Sequence, residues 1–319
     1  NGNSNSNSST SNVSAAVPDS KFSEDAFYNC VKNTVGTSGY DSNGVINESA
    51  LASLTELTCN VHAIKYTNGI EYMTNLVKLD LSLTNVETID LSKCTKLEEV
   101  YLRSTWLSSI DVSKLTKLKV LDLRDTFIGS INLTNNPELT RVDLASVNLT
   151  SLDVSKNTKL TDLWLTNNKL SSVDITKNTE LVQFGAGSNN LKSIDLSKNT
   201  KLQWLSLANN NLTSIDLSKN TKLKYLSLAI NNLTSIDLSN NRELTSLFLN
   251  NNYLTNIDTS KNTQLTTVVT QPQKTVANNG TTSTNNGNSN SNSSTNNVLY
   301  NPQTGTTQVI ISLILSFAL

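Results

Sequence analysis

Aspartates that recur at a fixed spacing are the first side chains in this 319-residue chain that could bind a ligand. A column of carboxylates is what Ca²⁺ needs, because a hard cation binds several oxygens at short range. An Asp that precedes a turn more often accepts hydrogen bonds from backbone N–H groups, and a Lys follows three residues later at most positions. We therefore expect turn caps and no metal at Asp90, Asp111, Asp153, Asp174, Asp195, Asp216, Asp237 and Asp258.

Side chains that could perform catalysis are otherwise sparse. The single histidine, His62, has no Cys or His neighbour at the spacing of a zinc site or a His-based triad. We find no nucleophile–base pair and no phosphate-binding loop, so we expect neither an enzyme nor a cofactor. The net charge of −1 also argues against a nucleic-acid partner.

Cysteine use points away from a disulfide-stabilised scaffold. Only Cys30, Cys59 and Cys94 occur, and their number is odd. Cys59 falls in a position that Leu fills elsewhere, so we interpret it as a buried thiol. A disulfide between Cys30 and Cys59 is the alternative.

A repeat of 21 residues organises the chain and positions these side chains. The segments "KLTDLWLTNNKLSSVDITKNT" (159–179) and "KLQWLSLANNNLTSIDLSKNT" (201–221) align without gaps, and both follow LxxLxLxxNxL. The alternating leucines form a short strand whose Leu side chains point inward, and stacked coils bury them in one core. This predicts a leucine-rich repeat solenoid with a curved parallel β-sheet on the concave side and short turns on the convex side.

The Asn of this motif should bridge backbone groups from coil to coil, because its amide both donates and accepts hydrogen bonds. Earlier coils carry Thr or Val instead, so we expect them to bend differently or to be less rigid. The Asn residues are Asn168, Asn189, Asn210, Asn231 and Asn252, and the earlier substitutes are Thr84, Thr105, Thr126 and Val147.

Composition divides the chain into five segments. Asn, Ser and Thr dominate residues 1–17 and 272–300, which predicts a disordered linker and a disordered stalk. Residues 18–53 predict a small helical N-terminal cap, with Ser23 as its N-cap and Phe27 and Val31 on its apolar face. Residues 54–271 form a solenoid of about eleven coils that frays at "TQPQKT", and residues 301–319 end in an apolar tail.

The outward positions of the strands define a surface that we call the concave face, because successive strand residues point to opposite sides of a sheet. Neighbouring coils set opposite charges side by side in its first half. These residues form either a solvated salt network of little energetic value or a surface that steers a ligand. The candidates are Tyr101, Arg103, Asp122, Arg124, Arg141, Asp143 and Asp162.

The second half of the concave face is aromatic. Trp and Tyr supply many binding hot spots, since they bury a large area at low entropic cost. Gly185 and Gly187 predict a shallow pocket between two of the rings, where a sugar ring or a protein side chain could stack; alternatively the rings only pack on their neighbours. The candidates are Trp164, Trp204, Tyr225 and Phe248, whereas Trp106, Phe127 and Tyr253 should pack under the rim of the sheet.

The units "NTKLxxLxLxxNxLTSIDLSK" and the segment "GIEYMTNLVKLDLS" (69–82) resemble the Gram-positive internalin family, in particular its internalin J-like, wall-anchored members. The resemblance covers about residues 18–271. It implies an extracellular, adhesin-like protein whose concave face binds a protein or carbohydrate of a host or neighbouring cell. The column of strand cysteines found in internalin J is missing here.

The segment "NPQTG" resembles the LPxTG signal recognised by sortases, and an apolar stretch follows it. The resemblance implies that a sortase thiolate attacks the amide after the Thr and joins that Thr to an amine of peptidoglycan. Two departures are the Asn in place of Leu and the lack of a basic tail, so a glycolipid-anchor signal is the alternative. The motif residues are Asn301, Pro302, Gln303, Thr304 and Gly305.

These features predict a monomeric surface binding protein, covalently anchored to the cell wall of a Gram-positive bacterium. The alternative is a structural cell-wall or surface-coat repeat protein without a tight ligand.

Overall fold

Short strands, one from each coil, form a single parallel sheet in the computed structural model, which describes Phe22 and residues 25–275. The 11 strands follow chain order without a crossover. They are β1 Glu56–Thr58, β2 Lys78–Asp80, β3 Glu99–Tyr101, β4 Val120–Asp122, β5 Arg141–Asp143, β6 Asp162–Trp164, β7 Gln183–Gly185, β8 Trp204–Ser206, β9 Tyr225–Ser227, β10 Ser246–Phe248 and β11 Thr267–Val269. The predicted linker at 1–17, the sorting signal at 301–319 and nearly all of the predicted stalk lie outside the described residues.

The leucine pattern produces the core as predicted. The central residue of each strand from β1 to β10 is fully buried, as in Leu79, Leu121 and Leu163. The residues on either side of it in the strand point to the concave face. Burying one Leu contributes about 2 kcal/mol, and a single coil cannot bury its own leucines, so stability depends on stacking. The leucine-rich repeat fold is thereby confirmed.

Two helices close the N-terminal end of this core. They are α1 Asp25–Val35 and α2 Glu48–Ser53. Phe27, Val31 and Leu51 are fully buried against the first coil. Gly69 is left-handed (φ 101°), and a Cβ there would lie 2.5 Å from the ring of Phe22. The predicted helical cap is confirmed, while its predicted N-cap, Ser23, lies outside the described residues.

A disulfide joins this cap to the sheet, so the prediction of a free thiol at Cys59 was wrong. Cys30 of α1 and Cys59, directly after β1, are bonded, with their Cα atoms 5.9 Å apart. The first coil packs on α1 instead of on another coil, which brings a cysteine to the position where a neighbouring Leu would lie. Cys94 is free and buried, and burial raises the pKa of its thiol to about 12.

The predicted Asn ladder is present in the later coils. Asn168 Nδ2 donates to Leu144 O of the preceding coil at 2.7 Å and to Leu165 O of its own coil at 3.0 Å, and its Oδ1 accepts from Leu149 N at 2.9 Å. Thr126 in an earlier coil bonds only within its own coil, through Oγ1 to Leu123 O at 2.7 Å. The Asn side chains thus tie coils together in a way that the Thr side chains do not.

A second Asn ladder was missed in the sequence, although its signal is the Asn of the repeated "KNT". Asn157 is fully buried, and its Nδ2 donates to Leu133 O at 3.0 Å and Asn136 O at 2.9 Å. The same two bonds recur along the convex turns, where earlier coils have a Cys and a Leu. The ladder consists of Asn136, Asn157, Asn178, Asn199, Asn220, Asn241 and Asn262.

The last coil stays in register through "TQPQKT", where the sequence predicted fraying. Gln273 occupies the position of the first Asn ladder: its Nε2 donates to Leu249 O at 2.9 Å and its Oε1 accepts from Leu254 N at 3.1 Å. Lys274 Nζ donates to Asn231 O at 2.6 Å. A Gln side chain is long enough to replace Asn here, which the pattern of Asn residues alone did not reveal.

Candidate functional site

The repeated aspartates are turn caps, as predicted. Asp90 Oδ1 accepts from Ser92 N at 2.8 Å, and Asp153 Oδ1 accepts from Ser155 N at 2.9 Å. These backbone hydrogen bonds hold the pKa of both carboxyl groups below the usual value. Within the described part of the chain, no group of three or more His, Cys, Asp or Glu residues could hold a metal ion.

Two carboxylates in the charged half of the concave face share one arginine. Arg124 Nη2 lies 3.4 Å from Asp122 Oδ2, and Arg124 Nη1 lies 3.5 Å from Asp143 Oδ2. The two aspartates are neighbours in register on β4 and β5, and they are only 6% and 4% exposed. The pair is therefore a self-satisfied salt network, as one of the two interpretations had it, but it is buried and not solvated.

Burial sets the electrostatics of this pair. It raises the pKa of Asp122, and it raises the pKa of Asp143 to about 6, with the charge of Asp122 as the second cause. The guanidinium of Arg124 lowers both values in part. Tyr101 on the neighbouring strand donates to Glu99 Oε2 at 3.1 Å, and burial raises its pKa to about 12.

The remaining charged candidates lie close by but make no direct ion pair with one another in the described residues. Arg103 is exposed and Arg141 is half-buried. Asp162 is the register partner of Arg141, yet its Oδ2 accepts a hydrogen bond from Thr161 Oγ1 at 2.6 Å. The guanidinium groups of Arg103 and Arg141 therefore lie at the concave face beside the buried pair, without a direct ion pair among the described residues.

Four rings form a continuous row, which we call the aromatic strip: Trp164, Trp204, Tyr225 and Phe248. The centroids of successive rings are 4.6, 5.0 and 5.4 Å apart. The middle pair is stacked with an angle of 6° between the ring planes. Small residues, Ser206 and Ser227, follow two of the rings on the same face of β8 and β9 and are 8% and 6% exposed. The sequence placed all four rings on this face, and the structure brings them into contact.

The pocket predicted between the two tryptophans is not present, because the indole rings themselves fill the space over Gly185. A Cβ at this glycine would lie 2.6 Å from the Trp164 ring and 3.2 Å from the Trp204 ring. The lack of a side chain at Gly185 therefore allows the two indole rings to pack closely over the strand. Trp204 Nε1 is buried without a hydrogen-bond partner among the described residues, and burial raises the pKa of Tyr225.

Two further aromatic residues were predicted wrongly. Trp106 and Phe127 do not pack under the rim; they are 59% and 62% exposed. They occupy the same position of adjacent coils, on the turn after the strand, where the next coil has the exposed Asn148. The side chain at this turn position points to solvent. Tyr253 at the equivalent position is half-buried, with Lys274 Nζ 5.1 Å from its ring centroid.

The sortase-motif residues 301–305 lie outside the described residues. Among the helices that the structure does describe, none combines the length and the apolar character needed to cross a bilayer.

The fold and the concave face define the class as a leucine-rich repeat protein with an internalin-like solenoid. One similar structure is the functional domain of InlJ from Listeria monocytogenes, which includes a cysteine ladder: identity is 30%, the TM-score is 0.66, and the match covers 79% of this chain and 61% of that one. The leucine-rich repeat protein LIC12759 of Leptospira interrogans matches at 24% identity and a TM-score of 0.61, covering 64% of this chain and 57% of that one.

An internalin, InlF from Listeria monocytogenes, matches at 24% identity and a TM-score of 0.52, covering 82% of this chain and 94% of that one. The chain thus spans about three fifths of the first two structures, since it covers 61% and 57% of them. No family model matches the chain, and comparison with curated proteins finds no match.

Proposed function

We propose that this protein is a surface binding protein, adhesin-like and without enzymatic activity, whose concave face binds a protein or carbohydrate ligand. The aromatic strip carries the proposal: four large rings lie in contact on an outward face, with ring centroids no more than 5.4 Å apart. The rings are half-buried, and the apolar area that they leave on this face loses little side-chain entropy on binding, because the rings already hold one another in place.

The charged half of the concave face complements this strip. Arg103 and Arg141 lie beside the buried pair of Asp122 and Asp143 without a direct ion pair in the described residues. Their charges can steer a ligand toward the concave face. Tyr101, Arg124 and Asp162 lie at the edge of this charged area. We assign affinity chiefly to the aromatic strip and association rate to the arginines.

Substitution of the strip tests this function. A glycan array and a peptide-display library, both probed with the whole chain, supply the ligands. We expect Trp164→Ala and Trp204→Ala each to weaken binding of those ligands by at least about tenfold, as hot-spot truncations do. Trp106→Ala is the matched control, because Trp106 is 59% exposed and lies off the concave face.

Thermal unfolding of the three variants establishes that each is folded before binding is compared. Equal loss of binding in the Trp106 control would contradict a concave-face site. A whole chain that selects no ligand from either library would instead favour a structural role as a surface-coat spacer.

We further propose that the motif Asn301–Gly305 directs covalent attachment to the cell wall. The resemblance to a sortase signal and the wall-anchored internalin-like proteins support this. Mass spectrometry of the wall fraction should find peptides that end at Thr304 and are joined to a peptidoglycan amine. Peptides that continue past Gly305, or a glycolipid attached near residues 276–300, would contradict it.

A further inference from the structure

The sheet ends in a strand that no described residue covers. The central side chains of β9 and β10, Leu226 and Leu247, are 0% exposed, whereas Val268 at the same position of β11 is 49% exposed. Val269 next to it is 38% exposed. The other end of the core is closed by α1, so the two ends of the solenoid differ in the described part of the chain.

Val268 also presents free backbone groups at this edge. Thr267 N donates to Thr245 O at 3.1 Å, and Val269 O accepts from Leu249 N at 2.8 Å, so both flanking residues bond to β10. Backbone groups of successive residues point to opposite edges of a strand. The N–H and C=O of Val268 therefore point away from β10, where no described residue bonds to them, and such an edge readily accepts another strand.

The stretch of sequence that contains β11 lacks charged side chains. No Asp, Glu, Lys or Arg occurs from Asn262 to Gln273. Natural sheets commonly protect an open edge with charged side chains, which oppose pairing. In a two-fold interface each patch meets a copy of itself, so a charged patch repels its partner and an uncharged patch does not. The end of this solenoid is consequently suited to meet a second copy of itself.

We propose that β11 binds the β11 strand of a second copy of this chain, antiparallel, about a two-fold axis through Val268. The two Val268 residues then exchange both of their free backbone hydrogen bonds. In the same register, Thr270 N–H of each copy meets Thr266 C=O of the other. An axis perpendicular to the sheet keeps both cores on one side, so the two exposed Val268 side chains pack together.

This assembly replaces the monomer expected from the sequence, and it has a consequence for binding. Both concave faces point to the same side of one continuous sheet, and Phe248 of each copy lies one strand from the axis. Two aromatic strips then act on one surface. Binding to a multivalent surface gains avidity without any new contact to the ligand.

Sedimentation velocity of the whole chain over a wide concentration range tests the proposal. We expect a species of twice the 34.7 kDa chain mass. Val268→Pro removes the outward N–H, which proline tolerates at an edge, together with the Val side chain that packs on its copy, and it should raise the dissociation constant of the dimer by about tenfold or more. Val269→Ala is the control: it changes the concave side of the same strand without adding a charge or removing a backbone donor, and the dimer should persist.

Cross-linking tests the register. Residues at a hydrogen-bonded antiparallel position have Cα atoms about 5.5 Å apart, within disulfide range. Val268→Cys should therefore give a covalent dimer on oxidation, whereas Val269→Cys, which faces Thr267 of the other copy, should not. A chain that is monomeric at every concentration, or equal cross-linking of both variants, overturns the proposal. Slow amide exchange at Val268 in a monomer would assign the edge to residues 276–319 of the same chain and overturn it as well.

Discussion

Asp143 makes part of the folding stability depend on pH, in the direction opposite to that of most aspartates. Burial, with the neighbouring charge of Asp122, raises its pKa to about 6 from the ordinary 3.8. The folded protein therefore binds this proton more tightly than the unfolded chain does. The resulting stabilisation is fully present below about pH 4 and is lost as the pH rises through about 6.

We expect Asp143→Asn to abolish this dependence, because the amide is neutral at every pH. Relative to the variant, the free energy of unfolding of the wild type should rise by about 2 kcal/mol between pH 7 and pH 4. Urea unfolding of both proteins across that range measures the difference. For Asp153→Asn we expect the opposite: relative to that variant, the wild type should lose stability as the pH falls, since the backbone N–H of Ser155 lowers the pKa of Asp153. Parallel pH profiles for wild type and Asp143→Asn would contradict the expectation.

At the scale of the coil, the Asn ladder decides how firmly one repeat is held to the next. Asn189 Nδ2 donates to Leu165 O of the preceding coil at 2.9 Å, and its Oδ1 accepts from Leu170 N at 3.0 Å. A Thr side chain at this position, as in Thr126, bonds only within its own coil. Replacing Asn189 therefore leaves the N–H of Leu170 without its partner, while Leu165 O loses one of two bonds and keeps the one from Asn168 Nδ2.

We expect Asn189→Thr to lower the free energy of unfolding by about 2 kcal/mol, since a buried N–H without a partner costs about 1–3 kcal/mol. Asn211→Thr is the matched control, because Asn211 is exposed on the turn. It should change stability by less than about 0.5 kcal/mol. Chemical denaturation of the two variants measures both effects, and similar losses would mean that the ladder bonds are not what holds the coils.

The coil was predictable from sequence to the extent that its spacing repeats. Inward leucines, outward rings and turn-capping aspartates all follow from a fixed period, because each residue then inherits the environment of its equivalents. The predictions were wrong where a residue does not share the environment of its equivalents in other coils. Cys59 meets a helix instead of a coil, and Gln273 substitutes for an Asn that the pattern required. The prediction of a pocket over Gly185 was wrong for another reason. Residue spacing determines on which side of the sheet a ring lies, but it does not determine the rotamer of that ring.

At the scale of the whole solenoid, stability is a sum over neighbouring coils, and its two ends are built differently. The first end has α1 packed on the core and a covalent bond between Cys30 and Cys59. The last end relies on side-chain hydrogen bonds from Gln273 and Lys274. The helical cap was predictable from the sequence, and the disulfide stood there as the alternative to a buried thiol, whereas the anchors Gln273 and Lys274 were missed because they lie outside the repeat pattern.

The unequal ends give the solenoid a mechanical polarity. Tension between the two termini, as on a tethered protein in flow, would peel coils away from β11 first, since only non-covalent contacts resist it there. Extension at the opposite end would stop at the disulfide. The 29-residue segment that it closes cannot be pulled straight, so roughly 100 Å of contour length is not released. A stretched molecule would thus keep the residues between the two cysteines, which include α2 and β1, shielded from the tension, as a remnant beside which the remaining repeats could refold.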